Sequence, residues 1–405
     1  MPGPIKGVKV LELAQIMAGP TCGLMLADLG AEVIKIEKIP GGDDTRRFVP
    51  PDIKGESSAF MMMNRNKKGI AINLKEKDGI NIFKSMVKTS DVVIENYRKG
   101  TMDKLGIGYD ELKKINPKII LCEISGYGRT GPYADKGGFD LVAQGMSGLM
   151  SITGESMEKP PMKVGAPLTD ITAGILGATG VLAALINRNK TGLGQRVDTS
   201  LYEAGIIHTY WQSAIAVATG KSPGPLGSAH PLTAPYQAFK TKDSWITVGA
   251  SNQNTWLKLI KAINKDELQE DIKFNNNDNR MQNLNELVEV IQTELQKKTS
   301  EEWIKIFDKA GLPCGPINSI TEIISKTKNY DEFNFLIKKH EKIISNLINK
   351  TCVKNLKFKD FEGEIKSLGA WGGDFILASG INSPSYFESK GYKTIVKFND
   401  MIYRI

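Results

Sequence analysis

The feature that most limits the fold of this sequence is a series of short β-branched runs separated by stretches with helical spacing. The runs are VKVLELA (8–14), AEVIKIE (31–37), GIAINLK (69–75), DVVIENY (91–97) and KIILCEIS (118–125). Strands that alternate with helices favour a parallel sheet covered by helices on both faces. We therefore predict an α/β protein built on a doubly wound parallel sheet.

A segment rich in glycine and proline divides the chain. It is TGKSPGPLGSAHPLTAP, residues 219–235, and such a composition marks a boundary. With 405 residues, the chain is long enough for two domains. We predict a large domain at 1–218 and a linker with a smaller α+β domain at 219–324. Residues 325–405 form an atypical C-terminal segment.

The formal net charge of +8 is concentrated near the C-terminus. Residues 325–405 carry 14 basic and 9 acidic side chains, which leaves 39 and 36 for the rest of the chain. The lysines of this segment are mixed with acidic and apolar residues and have no aromatic platform beside them. We therefore expect no nucleic-acid partner.

Signals for membranes, export and metals are weak. The best apolar run, GILGATGVLAALI (174–186), is shorter than the roughly 20 residues of a membrane span, so we expect no membrane association. The opening MPGP does not resemble a signal peptide. Four cysteines lack the spacing of a zinc site or a disulfide framework: Cys22, Cys122, Cys314 and Cys352. We expect a protein of the cytoplasm or an organelle matrix, without a metal site.

One carboxylate stands at the start of a charge-free run of small and β-branched residues. It is Asp170, in GAPLTDITAGILGATG (165–180). A helix starting at residue 171 would surround it with free backbone N–H groups, and the helix dipole would keep it ionised. The small side chains that follow would let a substrate approach. Asp170 therefore fits two roles, an activated carboxylate nucleophile or an ordinary N-cap.

Several motifs, in order along the chain, resemble the family III CoA-transferases. They are VLELAQIMAGPTCGLMLADLGAEVIKIE (10–37), NRNKKGIAINLK (64–75), VVIENYRKGTMDKLG (92–106), GYGRTGPYADKGGFDLVAQGMSGLM (126–150) and PLTDITAG (167–174). The match continues through TGLGQRVDTSLYEA, GSAHPLTAPYQAFKTKD and AGLPCGPIN, and covers about residues 5–324. GSAHPLTAPYQAFKTKD and MSGLMSITG are most similar to the branch that moves CoA between dicarboxylic acids such as succinate and glutarate.

The resemblance implies covalent catalysis by Asp170. In the family the aligned aspartate forms an anhydride with the donor acyl group and then a thioester with CoA. Coenzyme A and acyl-CoA are then substrates rather than tightly bound cofactors, and a carboxylic acid is the acceptor. Racemases of the same superfamily pair this aspartate with a histidine, whereas this chain has Phe139 at or next to the aligned position. The alternatives are a 2-methylacyl-CoA racemase-like enzyme and a non-catalytic CoA-binding or chimeric protein.

The resemblance also implies which residues contact the substrates. The positions that match the family's CoA contacts are Ile16, Met17, Ala18, Lys38, Ile72, Asn96, Tyr97, Arg98 and Lys104. Transferases of the formyl type have glutamine in place of Met17, which disfavours oxalate as a substrate here. Gly224 and Gly227 lie where the family has a mobile glycine loop near the site.

Family members fold as two interlocked rings, so the resemblance implies a homodimer. The pattern departs from the family after GPINSITEII (315–324). Residues 325–405 resemble the C-terminal part of GHMP-type kinases, in which a glycine turn between a strand and a helix approaches the ligand phosphates; the run 369–374 would be this turn. The tail fits a gene fusion or assembly chimera, which we favour, a domain with a new partner, or divergence. If the tail is fused, the family's own closing segment is missing, and we expect ring closure and dimer assembly to be weakened.

Overall fold

The computed structural model describes residues 3–326, 330–347, 349–368, 375–380, 382–392 and 394–395. These residues fall into two compact units. One unit contains residues 3–147 and 165–208 together with the described part of 327–405, and the other contains 148–164 and 209–326. Our sequence boundary at residue 218 therefore lies within the second unit, which also includes a segment from the middle of the chain.

The first unit is built on a parallel sheet. Its strands are β1 (Lys9–Glu12), β2 (Glu32–Glu37), β3 (Asp52–Ile53), β4 (Glu56–Ser57), β5 (Lys67–Ala71), β6 (Val92–Glu95), β7 (Ile120–Ser125) and β8 (Arg196–Ser200). Its helices up to residue 207 are α1 (Ala18–Asp28), α2 (Ser58–Met63), α3 (Lys77–Val87), α4 (Thr101–Lys104), α5 (Tyr109–Ile115), α6 (Asp140–Met146), α7 (Leu168–Thr191) and α8 (Leu201–Ile207). Six strands pair in parallel in the order β5-β2-β1-β6-β7-β8, and β3 pairs with β4. The five β-branched runs are therefore neighbouring strands, which confirms the predicted α/β fold.

Successive side chains of β1 pack on opposite faces of this sheet. Val10 joins a core formed largely with α1 and α7, whereas Leu11 and Leu13 join a second core with residues of α3 and α5. Both faces of the sheet are therefore buried. This explains why the strands read as continuous apolar runs rather than as alternating patterns.

Helix α7 is longer than the apolar run from which we predicted it. It spans 24 residues and is, by length and composition, the one described helix that could cross a membrane. Our estimate of the apolar segment as residues 174–186 therefore understated the length of this helix. The buried core helix of a globular domain passes the same test. Helix α7 packs along α1, β7 and β8 and buries Ala173, Gly177, Val181 and Ala184. This packing accounts for its apolar composition.

The second unit combines helices with an antiparallel sheet. Its helices are α9 (Tyr210–Thr219), α10 (Gln253–Ala262), α11 (Asn277–Gln282), α12 (Leu284–Leu295), α13 (Ser300–Ala310) and α14 (Ile320–Lys326), and its strands are β9 (Tyr236–Lys240), β10 (Trp245–Gly249) and β11 (Cys314–Pro316). The strands pair antiparallel in the order β11-β10-β9. Phe239 and Ile246 of the sheet pack with Trp256, Leu287 and Phe307 of the helices. This is the α+β architecture predicted for the smaller domain.

The C-terminal segment has a small core of its own. Its elements are α15 (Tyr330–Leu347), α16 (Val353–Lys357), β12 (Glu364–Leu368), β13 (Phe375–Ser379) and α17 (Ser383–Ser389), with β12 and β13 antiparallel. Phe358, Phe361, Ile365 and Phe387 pack together. The run 369–374, which we interpreted as a kinase-like turn, lies outside the described residues.

Candidate active site

Most of the predicted CoA contacts follow neighbouring strands of the parallel sheet. Strands β5, β2, β1 and β6 are adjacent and parallel, so the residues after each strand meet at one edge. They are Ile16, Met17 and Ala18 after β1, Lys38 after β2, Ile72 after β5, and Asn96, Tyr97 and Arg98 after β6, with Lys104 following on α4. The carboxyl edge of such a sheet is where α/β proteins bind their ligands.

Some of these side chains are already engaged by the protein. The Gln15 backbone N–H donates to Asn96 Oδ1 at 2.9 Å, and Asn96 Nδ2 donates to the Gln15 carbonyl at 2.8 Å. Ile72 is 5% exposed and lies in the core against which Tyr97 packs. Burial raises the pKa of Tyr97 to about 12. The side chains of Asn96, Ile72 and Tyr97 therefore support the backbone of this edge and are not free to bind a ligand.

The cationic side chains at this edge are exposed. Lys38 forms an ion pair with Asp44 at 2.7 Å and also donates to Gln15 Oε1 at 3.0 Å. Arg98 and Lys104 are exposed as well. Three cations on the loops and helix that follow β2 and β6 suit the phosphates of CoA, and lysine supplies a point charge without the fork of arginine.

Asp170 lies in the first turn of α7 and is the third residue of that helix. Helix α7 runs beside α1 so closely that a Cβ added to Gly174 would lie 2.6 Å from the Ala18 carbonyl oxygen and 2.6 Å from Thr21 Cβ. Four residues before Gly174, or about one helical turn, the same register brings Asp170 level with residues 15–17. Asp170 therefore lies on the side of α7 that packs against α1, one turn nearer to the loop that connects β1 to α1 at the ligand-binding edge of the sheet.

The surroundings of Asp170 oppose its ionisation. Burial, and next the negative charge of Asp140, raise the pKa of Asp170 from its ordinary value of 3.8 to about 7. We expected the helix N-terminus to keep this carboxylate ionised, and that expectation is wrong near neutral pH. Burial and a neighbouring negative charge both disfavour the charged form of a carboxyl group. Asp170 therefore changes charge near neutral pH.

Asp140 holds the beginning of α7 from a neighbouring helix. Its Oδ1 accepts hydrogen bonds from Thr169 N at 3.0 Å and from Thr169 Oγ1 at 2.7 Å, and its Oδ2 accepts one from Gln144 Nε2 at 2.8 Å. Asp140 is the first residue of α6. It therefore ties α6 to the residue directly before Asp170, a contact across 29 positions that local sequence patterns do not reveal.

The position aligned with the racemase histidine is open to solvent. Phe139 exposes 72% of its surface and precedes α6. The nearest histidine contact on α7 is between His208 Nε2 and Thr172 Oγ1, at 2.7 Å. Since successive residues of a helix are about 100° apart, Thr172 and Asp170 point to nearly opposite sides of α7. His208 therefore does not replace the racemase histidine.

The predicted glycine loop lies in the second unit. Gly227 has a φ of 58° and donates its N–H to the Gly154 carbonyl at 2.9 Å. A Cβ on Gly224 would lie 2.6 Å from Met157 Sδ. The segment 224–227 is therefore held against residues 154–157 of the same unit, a contact that the sequence did not predict.

Comparisons of the sequence and of the structure with known proteins match the same family. The family model for CoA-transferase family III matches residues 5–366. A mouse succinyl-CoA:glutarate CoA-transferase is 39% identical over 325 residues, which are 80% of this chain and 74% of the relative. An acetyl-CoA:oxalate CoA-transferase from Acetobacter aceti is 37% identical over 79% of this chain and 82% of the relative. The crystal structure of a CAIB/BAIF family protein from Brucella suis superimposes with a TM-score of 0.72 at 37% identity, over 80% of this chain and 86% of that protein.

The family match extends further than we predicted. We placed its end at residue 324, whereas the family model continues to residue 366. It therefore includes α15, α16 and part of β12 of the C-terminal segment. The similarity of residues 325–405 to a kinase stays a prediction.

Proposed function

The chain belongs to CoA-transferase family III and is a CoA-transferase; from this premise we propose that it moves CoA from succinyl-CoA or another dicarboxylyl-CoA to a carboxylic acid through covalent intermediates on Asp170. The observation that carries the proposal is the position of Asp170, in the first turn of α7 and level with the loop at the ligand-binding edge. Succinyl-CoA and glutarate are the substrates in the name of the mouse relative.

The first half of the reaction loads CoA onto Asp170. Its carboxylate attacks the thioester carbonyl carbon of the donor, the C–S bond breaks, and CoA leaves as the thiolate. The product is a mixed anhydride between Asp170 and the donor acid. The thiolate then attacks the carbonyl carbon of Asp170, the C–O bond to the donor breaks, and the donor leaves as a carboxylate.

The second half passes CoA to the acceptor. The acceptor carboxylate attacks the Asp170 thioester and displaces the CoA thiolate, which forms a new anhydride. The thiolate attacks the acceptor carbonyl of this anhydride, so that acceptor acyl-CoA leaves and the Asp170 carboxylate is restored. Proton transfer is not required, because carboxylates and a thiolate are the only nucleophiles. Water has to be kept away, since hydrolysis would dissipate the thioester energy.

Trapping of the acyl group tests the proposal. The protein is incubated with succinyl-CoA and then with hydroxylamine, and the modified peptide is mapped by mass spectrometry. We expect a hydroxamate at Asp170, and CoA transfer to at least one acid from a panel of glutarate, hydroxymethylglutarate and oxalate. Oxalate belongs in the panel because it appears in the name of a relative that is 37% identical. A folded protein that binds CoA but forms no adduct with any acyl-CoA would favour a non-catalytic CoA-binding protein.

The raised pKa of Asp170 predicts a pH dependence of the first step. Only the carboxylate attacks, so the rate of adduct formation rises about tenfold per pH unit below the pKa of about 7 and levels off above it. Asp140→Asn removes the neighbouring negative charge while an amide oxygen can still accept from Thr169. We expect this variant to shift the profile to lower pH, as measured by quenched-flow mass spectrometry. A rate that does not vary with pH would contradict the assignment of Asp170.

We also propose that the protein is a homodimer. Within the described chain, α9 has no buried residue and exposes Tyr210, Trp211 and Val217, which is costly for an isolated subunit. Light scattering after size exclusion is expected to give twice the subunit mass of 44.5 kDa. A monomer would instead support the prediction that a fused tail weakens ring closure.

A reducing compartment, either the cytoplasm or an organelle matrix, is the proposed location. All four cysteines are free thiols, and Cys22 and Cys122 are fully buried. Free thiols persist in such compartments. Cell fractionation with an antibody against the protein would test this assignment.

A further inference from the structure

The loop between β1 and α1 contains a residue in an unfavourable backbone conformation. Ile16 has a φ of 66°, in the left-handed region that β-branched residues rarely adopt. Its side chain is 37% exposed, so packing around the side chain does not impose this conformation. Such a conformation persists only where neighbouring groups hold it. The contacts of the Ile16 backbone therefore have to be found elsewhere.

The group that holds Ile16 is Asp43. Both oxygens of this fully buried carboxylate accept from the Ile16 N–H, at 3.2 and 3.3 Å. Oδ1 also accepts from Thr45 N at 2.9 Å and Thr45 Oγ1 at 2.8 Å. Lys35 Nζ lies 2.8 Å from Oδ2. Burial alone would raise the pKa of Asp43, but the charge of Lys35 and the hydrogen bonds outweigh it and lower the pKa, so the carboxylate stays ionised.

Lys35 extends this contact to the residues before Ile16. It is 2% exposed, and its Nζ donates to the Ala14 carbonyl at 2.9 Å and to Glu12 Oε1 at 2.9 Å. Glu12 in turn forms an ion pair with Lys67 at 2.8 Å. Buried ion pairs add little stability compared with apolar packing. The cluster is better explained by the conformation that it imposes on the loop.

The backbone of three successive loop residues is thus fixed by side chains from other parts of the sheet. Lys35 Nζ donates to the Ala14 carbonyl, and Asp43 accepts from the Ile16 N–H. Between them, the Asn96 side chain is hydrogen-bonded to both the N–H and the carbonyl of Gln15. Residues 14–16 form the middle of the loop between β1 and α1, and Asp170 lies about one turn along α7 from the point where α7 packs against the start of α1.

We propose that Asp43 is a positioning residue: paired with Lys35, it fixes Ile16 in the left-handed conformation and so holds the loop in the form that receives the acyl thioester opposite Asp170. This inference rests on the proposed function, because it takes Asp170 as the acyl acceptor. Asp43 also caps the short 3₁₀ helix Asp44–Arg47. This N-cap role explains the bonds from Thr45 but not the bond from Ile16, which is 27 residues away.

Asp43→Asn separates the cap from the charged restraint of Ile16. Asparagine caps helices as well as aspartate does, so its oxygen can still accept from Thr45, whereas the charge that pairs with Lys35 and the second acceptor for the Ile16 N–H are lost. We expect the single-turnover rate of acyl transfer to Asp170, per folded active site, to fall on the order of 10- to 100-fold. The effect should appear in kcat more than in the KM for succinyl-CoA.

Thr45→Val is the matched control. It removes one hydrogen bond to the same carboxylate and leaves the bond from Ile16 in place, so it should lower the melting temperature without slowing acyl transfer. Equal rates in Asp43→Asn and the wild type, or equal losses in Asp43→Asn and Thr45→Val, would overturn the inference. A wild type that forms no adduct at Asp170 would instead refute the proposed function itself.

A double variant keeps the test decisive if Asp43→Asn alone does not fold. Glycine adopts the left-handed region without steric cost, so Ile16→Gly removes the need for a restraint. We expect Ile16→Gly/Asp43→Asn to fold, and Asp43→Asn to slow acyl transfer less in this background than in the wild type. An unfolded double variant, or an undiminished effect of Asp43→Asn, would show that Asp43 serves the core rather than the loop.

Discussion

We expect an Asp170→Asn variant to keep its fold and its affinity for CoA but to lose CoA-transfer activity by at least about four orders of magnitude. The amide is almost the same size as the carboxylate, yet it is too weak a nucleophile to form the anhydride on which both half-reactions depend. Initial rates with succinyl-CoA and glutarate, together with the mass of the intact protein after incubation, measure the loss. Residual transfer above about 1% of the wild-type rate would assign the nucleophile to another residue.

The same substitution is expected to stabilise the protein above pH 7. The unfolded chain releases the Asp170 proton near its ordinary pKa of 3.8, and the folded chain only near 7. The folded state therefore binds more protons between these values, and wild-type stability falls as the pH rises through this window. Asp170→Asn removes the penalty, so its gain in the free energy of unfolding, on the order of 1 kcal/mol or more, is present at pH 8 and small at pH 4.

Asp135→Asn is the matched control for both measurements. It makes the same chemical change at a side chain that is 88% exposed and pairs only loosely with Lys99, at 3.5 Å. We expect transfer activity and unfolding at both pH values to match the wild type. A loss of activity in this variant would mean that the general charge of the surface, rather than the nucleophile, controls the reaction.

The carboxyl edge of the sheet could be predicted from the sequence because its information is local. Each β-branched run indicates a strand, the helices between the runs make the strands parallel, and parallel strands place their following residues at one edge. The positions after β1, β2, β5 and β6 were therefore brought together as expected. Which of these side chains are exposed to a ligand was not predictable in this way. The burial of Ile72, for example, depends on packing against residues from distant parts of the chain.

The electrostatics of the nucleophile could not be predicted for a related reason. The position of Asp170 near a helix N-terminus is visible in the sequence, and it suggests an ionised carboxylate. The opposing effects are burial and the charge of Asp140, and both come from residues that only the fold places beside it. The restraint of Ile16 by Asp43 is equally invisible, because neither a positive φ nor a bond across 27 residues leaves a local pattern.

Replacing a small residue of α7 is expected to have the largest effect on the free energy of unfolding. From the sequence we interpreted them as space for a substrate, but Gly174 faces Ala18 and Thr21, and Gly177 faces Cys22 and Cys122. They serve the contact between helices and sheet. Gly174→Val would place its Cβ 2.6 Å from a backbone carbonyl oxygen, which cannot move away as a flexible side chain can. We expect a loss of about 3 kcal/mol or more in the free energy of unfolding, which outweighs the better helix propensity of valine.

Thr179→Val separates this clash from the general effect of a β-branched residue in α7. Thr179 is exposed on the same helix, so the variant should change the free energy of unfolding by less than about 0.5 kcal/mol in denaturant titrations. Gly174→Val should also slow acyl transfer in the molecules that remain folded, because a wedge between α1 and α7 moves Asp170, one turn away, relative to residues 15–17. If Gly174→Val were as stable and as active as Thr179→Val, the register between α1 and α7 that places Asp170 opposite the loop would be wrong.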